Sequence, residues 1–211
     1  DLKTPLTSII GYLSLLYDEP EIPLELRLKY TGISLEKAKR LEELINEFFD
    51  ITRFNLTNIS LEISCINFSR MVEQTAFEFN PIISEKGLTW QLDIEDNIML
   101  SCDADKMERV LDNLIKNAVY YSYPDTSVKI NLTKDNENII FSIENKGKTI
   151  SKEKLNRIFE QFFRLDSSRG TETGGAGLGL AIAKEIIELH NGKIYADSHN
   201  GHIKFTVKLP L

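Results

Sequence analysis

Over the first fifty-odd positions the apolar residues recur at helical spacing and do not alternate. Leu6, Ile9, Ile10, Leu13 and Leu16 share one face of a first helix. Thr4-Pro5 reads as an N-cap followed by proline at the first helical position. The segment 18–23, Asp-Glu-Pro-Glu-Ile-Pro, breaks the pattern. A second, longer helix follows, with Tyr30, Ile33, Ala38, Leu41, Leu44, Ile45, Phe48 and Ile51 on its stripe and a charge-laced opposite side. So short a connection makes the two helices antiparallel neighbours, a helical hairpin. One hairpin is too small to bury two stripes, so two copies are expected to pair into a four-helix bundle. The alternative is a hairpin packed on the rest of its own chain.

From about residue 61 the texture changes. Residues 61–66 read as a short strand, 68–86 as a helix, 88–94 as an alternating strand and 98–102 as another. A strongly periodic helix spans 103–121, with Met107, Val110, Leu111, Leu114 and Ala118 facing inward. Segments 128–133 and 139–144 alternate about Asp135-Asn-Glu-Asn138, which predicts a hairpin. A short helix over 152–163 runs into a loop at 164–173. A further helix over 176–190 closes at Asn191-Gly192, a left-handed cap. Strands at 193–198 and 202–209 end the chain. This order predicts an α+β chain: a helical hairpin over 1–58, then over 59–211 a mixed sheet covered by helices, not a repeating βαβ array.

With 211 residues, 42% of them hydrophobic, the chain can bury a real core in one or two domains. A net charge of −7, with no run of Lys and Arg, argues against a nucleic-acid partner. Cys65 and Cys102 sit in apolar patterns without metal-ligand spacing and read as buried thiols. No apolar run approaches the ~20 residues that span a bilayer, and no signal-peptide pattern is present. The chain begins at Asp1, not at a Met, which suggests a piece of a longer protein.

Two motifs carry the chemistry. Asn113-Leu-Ile-Lys-Asn117 sets two carboxamides on one helix face, where their oxygens can coordinate a hard cation such as Mg²⁺. Gly174-Gly175-Ala176-Gly177-Leu178-Gly179 opens a helix and offers bare N–H groups to an anion. Alone, the glycine turn is a common device for close helix packing, and paired Asn are usually solvated. A dinucleotide fingerprint should follow the first strand of a βαβ unit, whereas this turn follows a polar loop late in the chain. Together the motifs meet the needs of a Mg·nucleotide site. Tyr121 can offer an aromatic face to a purine, and Asn145, before Gly147, an amide to a base edge.

The order of these boxes, with Asn145-Lys-Gly147 and Phe159-Glu-Gln-Phe162-Phe163-Arg164 between them, resembles the catalytic domain of two-component sensor histidine kinases. The opening Asp1-Leu-Lys-Thr4-Pro5-Leu6 resembles the segment directly after their phospho-accepting histidine, so the likeness covers essentially the whole chain. Segments 1–16, 47–53 and 174–187 are most similar to the vancomycin-resistance branch of that family.

The resemblance implies a dimerisation and histidine-phosphotransfer hairpin over 1–58. It implies a catalytic domain over 59–211, an α/β sandwich of the histidine kinase/Hsp90-like type. The activity implied is ATP-dependent autophosphorylation of a histidine, then transfer to an aspartate of a response-regulator receiver domain, with phosphatase activity towards that regulator. ATP and Mg²⁺ are the implied cofactors, a homodimer the assembly, and the cytoplasmic side of a membrane sensor the location. Asn113 and Asn117 would hold Mg²⁺, Tyr121 would stack on adenine and Asn145 would contact its amine. Gly147, Arg169, Gly174, Gly175, Gly177, Leu178 and Gly179 would complete the nucleotide site, with 164–173 as a lid. Arg164 would steady the γ-phosphoryl, Asp1 would take the imidazole proton, and Thr4 would orient water for dephosphorylation. Residues near Ser8, Gly11, Tyr12 and Leu15 would select the regulator.

Some positions depart from the family pattern. Asn145 stands where an aspartate is usual, which predicts weaker nucleotide affinity. Thr149 replaces a glycine, and Tyr120 replaces a phosphate-contacting lysine. The accepting histidine is expected immediately before Asp1, and His190, His199 and His202 read as surface or capping residues. Two rivals remain at this level: an ATPase or serine-directed kinase on the same domain, and a nucleotide-gated docking module without catalysis.

Overall fold

The computed structural model describes residues 2–19, 21–56, 60–165 and 177–211, with the side chains at 47, 48 and 50–56 excepted. The chain divides into two compact units, Asp1–Thr57 and Asn58–Leu211.

The first unit is a helical hairpin of α1 (Lys3–Asp18) and α2 (Leu24–Leu56). Thr4 is not its N-cap. Leu2 already has helical dihedrals, and the Thr4 carbonyl accepts a bond from Ser8 Oγ at 3.2 Å inside the helix. Pro5 still falls in the first turn, where a missing N–H leaves no helical bond broken. Tyr12 and Tyr30 pack with ring centroids 5.4 Å apart. Of the expected stripes, Leu44 is buried, while Leu6, Ile10 and Leu13 stay largely exposed. Phe48 and Ile51 lie outside the described side chains.

The second unit opens with β1 (Ile63–Asn67), which pairs antiparallel with β3 (Met99–Asp103) as a separate ribbon. Between them lie α3 (Phe68–Glu78), α4 (Asn80–Glu85) and β2 (Thr89–Ile94). After α5 (Ala104–Tyr121) come β4 (Ser127–Lys134), β5 (Asn138–Lys146), α6 (Lys152–Leu155), α7 (Gly179–Leu189), β6 (Lys193–His199) and β7 (His202–Pro210). The main sheet has the order β2-β4-β5-β7-β6, with β2 parallel to β4 and the remaining pairs antiparallel. It is the mixed sheet the pattern predicts.

Alternation decides the core. Ile130, Leu132, Phe141, Ile143, Phe205 and Val207 are buried on one face, and between them Lys129, Lys204 and Lys208 reach solvent on the other. Against the buried face pack the apolar stripes of α5 and α7. Each large side chain so buried contributes roughly 1.5–3 kcal/mol. Asp135 closes the β4–β5 hairpin as expected, its carboxylate accepting from the Glu137 and Asn138 amides at 2.8 and 2.7 Å.

Four expectations are corrected. The helix over 68–86 is two helices parted at Phe79, because Pro81 cannot donate to a preceding turn and instead sits in the first turn of α4. The 152–163 helix stops at Leu155, and Phe162 takes a left-handed φ of 63° that no helix permits. Helix α7 starts at Gly179, not at 176. Cys65 is exposed, whereas Cys102 is buried as expected.

Candidate functional site

Helix α5 carries the Asn pair and is held at both ends. At its start the Asp103 carboxylate accepts from the Lys106 amide at 3.2 Å, from Lys106 Nζ at 2.5 Å and from the Glu62 amide at 3.1 Å. Burial pushes the Asp103 carboxyl upward, but these bonds and the Lys106 charge outweigh it and hold it below the usual carboxylate range. The Asp103 amide donates to His190 Nε2 at 3.0 Å, and His190 Nδ1 bonds the Ile186 carbonyl at 2.7 Å. His190 therefore caps α7 and ties its end to the start of α5. At the other end Lys86 Nζ donates to the Val119 and Tyr120 carbonyls at 3.2 and 2.9 Å, two of the acceptors a helix C-terminus leaves unmatched. The ammonium also lies 4.9 Å over the Tyr120 ring, and burial lowers its pKa from the ordinary lysine value. The capping role of His190 was legible in the sequence, but its bond to Asp103 and those of Lys86 were not, since these partners are distant in sequence.

Between these anchors α5 presents its half-buried Asn pair. Asn117 Nδ2 donates to the Asn113 carbonyl at 2.8 Å, which engages the amide end and leaves Oδ1 as the end for a ligand. The start of α7 lies directly against Asn113: a Cβ on Gly179 would sit 2.6 Å from Asn113 Oδ1. The Asn pair and the glycine turn, distant in sequence, thus meet in space. Gly177 has a φ of 74°, and its carbonyl accepts from the Phe162 amide at 3.0 Å, so this end of the glycine turn is stitched to the Phe-rich turn. That turn is anchored by Phe159, edge-on to Phe205 at 6.3 Å, and Leu178, next to Gly177 in sequence, is buried. Arg164 follows, half-buried, on the loop whose Leu165 carbonyl accepts from Lys154 Nζ at 3.0 Å.

One turn beyond Asn117, Tyr121 is exposed, and its carbonyl approaches the end of β5. A Cβ on Gly147 would fall 2.5 Å from that carbonyl and 3.3 Å from Asn145 Nδ2. Only glycine allows this approach. Asn145 occupies the buried row of β5, in register between Val128 and Ile203. It is 1% exposed, and both its Oδ1 and Nδ2 are buried without a hydrogen-bond partner. Thr149 has a bonding role of its own, its hydroxyl accepting from the Gly201 amide at 2.8 Å, while Gly147 N–H donates to the Gly201 carbonyl at 2.8 Å.

The structure therefore brings Asn113, Asn117 and Gly179 together, and Tyr121, Asn145 and Gly147 beside them along α5. Thr4 belongs to the hairpin unit. Asp1, Arg169, Gly174 and Gly175 lie outside the described residues. Among the described residues no group of three or more His, Cys, Asp or Glu could hold a metal ion. The Asn pair offers only neutral oxygens, so it suits a hard cation that arrives with anionic ligands of its own, as Mg²⁺ does on a triphosphate.

Comparison with known proteins follows the same division. Residues 1–56 match the His Kinase A (phospho-acceptor) domain, and residues 102–211 match the family described as histidine kinase-, DNA gyrase B- and HSP90-like ATPase. Over 210 residues the chain is 51% identical to sensor protein VanSC of Enterococcus gallinarum, covering 100% of this chain and 58% of that protein. It is 47% identical over 210 residues to sensor protein VanS of Enterococcus faecium, covering 100% and 54% respectively. The chain thus spans a little over half the length of these relatives. Among solved structures, the Acinetobacter baumannii histidine kinase AdeS aligns with a TM-score of 0.82 at 26% identity, covering 99% of this chain and 96% of that one.

Proposed function

The chain belongs to the sensor histidine kinase family, as a VanS-like kinase core, and from that premise we propose that it binds Mg·ATP and phosphorylates a histidine of its own protein. The observation that carries this reading is the contact of Asn113 with Gly179, which joins a cation-binding face to an anion-binding turn.

Asn113 and Asn117 would hold Mg²⁺ through their carboxamide oxygens. When bound, the cation neutralises phosphate charge and fixes the triphosphate. Tyr121 covers the purine face, Asn145 meets the base edge, and Gly147 keeps the backbone clear of it. Gly177, Leu178 and Gly179 present amides to the phosphates. Gly174, Gly175 and Arg169 join them on the strength of the resemblance. Arg164 steadies charge on the γ-phosphoryl during transfer, where positioning and electrostatics dominate.

The acceptor is a histidine directly upstream of Asp1 in the longer protein. Its imidazole nitrogen attacks the γ-phosphorus, the bond to the β-bridging oxygen breaks, ADP leaves and the ring proton passes to Asp1. The phosphoryl group then moves to an aspartate of a receiver domain docked on α1 near Ser8, Gly11, Tyr12 and Leu15. Thr4 orients water when the same surface dephosphorylates that partner. The protein is the cytoplasmic part of a membrane sensor in a vancomycin-resistance circuit.

The test extends the chain upstream through that histidine and incubates it with γ-labelled ATP. Acid-labile, alkali-stable label that disappears when the histidine becomes Gln is the expected result. ATP binding without any such label would sink the kinase reading in favour of a nucleotide-gated docking module.

A further inference from the structure

Resting on the nucleotide reading above, we infer that the base subsite takes 6-oxopurine nucleotides as well as adenine nucleotides, and that Asn145 is the residue that admits both. Its carboxamide stands in a row of β5 whose other members, Ile139, Phe141 and Ile143, are apolar and buried. Both polar atoms are sealed from solvent without a partner. Each unsatisfied buried group costs about 1–3 kcal/mol, a cost an apolar side chain would not incur there. A ligand edge carrying one donor and one acceptor removes that cost.

A purine offers such an edge in two forms. Adenine presents an amine at C6 beside the N1 acceptor, and hypoxanthine or guanine presents O6 beside an N1–H donor. A carboxamide has one carbonyl and one amine side by side. With Oδ1 towards the C6 substituent it pairs with adenine, and with Nδ2 there it pairs with a 6-oxopurine. The two poses differ by a half-turn of the terminal torsion, which is broad and roughly two-fold, and the amide ends are nearly equal in size. The register neighbours Val128 and Ile203 have no polar side-chain atoms, so of these three only Asn145 can discriminate at C6. The space beside Nδ2 is kept by Gly147. A carboxylate at this position only accepts. Opposite adenine it would meet the amine but oppose the N1 lone pair, and opposite a 6-oxopurine it would meet N1–H but oppose O6. The two-way fit therefore needs the carboxamide, and Asn145→Ala, which removes it, should weaken both nucleotides together.

The experiment is calorimetric titration of the full chain with Mg·ATP and with Mg·ITP. The wild type should bind the two within about tenfold. Asn145→Ala should weaken both by roughly 5- to 150-fold, the range of one lost two-point base contact. Wild-type rejection of ITP by more than about 100-fold overturns the inference while leaving ATP binding intact. ITP affinity unchanged in a folded Asn145→Ala variant overturns it too. Failure of both nucleotides to bind removes the nucleotide reading itself. If the variant does not fold, the Asn145 side-chain amide resonances of the wild type decide: they should move with either nucleotide, and resonances unmoved by ITP would refute the second pose.

Discussion

The role proposed for Asn145 sets function and stability in opposition at a single residue. Replacing it by Val continues the apolar row and removes two unsatisfied groups at about 1–3 kcal/mol each, so urea unfolding should show about 2 kcal/mol or more of added stability. The same variant should bind Mg·ATP roughly 5- to 150-fold more weakly, having lost a contact worth about 1–3 kcal/mol. A variant no more stable than the wild type would mean that solvent already satisfies the carboxamide. The two thiols offer a simpler contrast. Burial, with smaller contributions from Asp103 and Cys65, pushes Cys102 up to about 11, so it stays protonated near neutrality, and Cys65 is exposed. A maleimide should label Cys65 rapidly in the folded protein and Cys102 only after denaturation, checked by mass spectrometry. Asn145 was legible in the sequence as an amide at the turn after a strand over 139–144, but not as a member of that strand's buried row, because the strand runs on to Lys146. Cys65 was not, because the exposed edge of a two-stranded ribbon looks the same in one chain's pattern as a covered strand.

At the scale of elements, α5 and α7 build the site. Their apolar periodicity made both visible, and Asn113 with Asn117 could be placed on one face from spacing alone. What spacing could not reveal is how the elements are joined, because Lys86 and His190 act across long sequence separations. The break at Phe79 was signalled by Pro81 but masked by an apolar period that runs through both helices. The contact of Gly179 with Asn113 gives a sharp test. Gly179→Ala improves helix propensity, yet its Cβ would press on Asn113 Oδ1. Helical content should persist by circular dichroism while Mg·ATP affinity falls by about tenfold or more, the effect of about 1.4 kcal/mol. The start of α5 gives a pH test. Asp103 is held below its ordinary value in the folded state, so its contribution is complete above the unfolded carboxylate range and is lost as pH falls through the folded value. Asp103→Asn should therefore be less stable than the wild type at neutral pH, with the two converging in acid. A gap that is constant down to strongly acidic pH would show that the charge is not what matters.

For the whole molecule, the question left by the hydrophobic pattern is what covers the hairpin. Leu6, Ile10 and Leu13 recur at i, i+4 and i+7 on α1 and are 45%, 56% and 50% exposed, and on α2 Leu35 is 58% exposed. A continuous apolar stripe of this kind on one face is unusual for a surface helix without a partner. Each of these side chains, if fully buried, would contribute roughly 1.5–3 kcal/mol, and a twofold pairing counts every one twice. A homodimer through the hairpin is thus the assembly we expect, with the four helices sharing one core. Sedimentation equilibrium of the chain should give the dimer mass at micromolar concentration. Ile10→Glu together with Leu13→Glu should give the monomer mass, since a like charge would meet itself across the axis. This double variant should leave Mg·ATP binding unchanged, because the residues proposed for the nucleotide all belong to the other unit. A monomeric wild type would mean that the stripe is covered by its own chain or by a different partner, and the four-helix bundle would have to be abandoned.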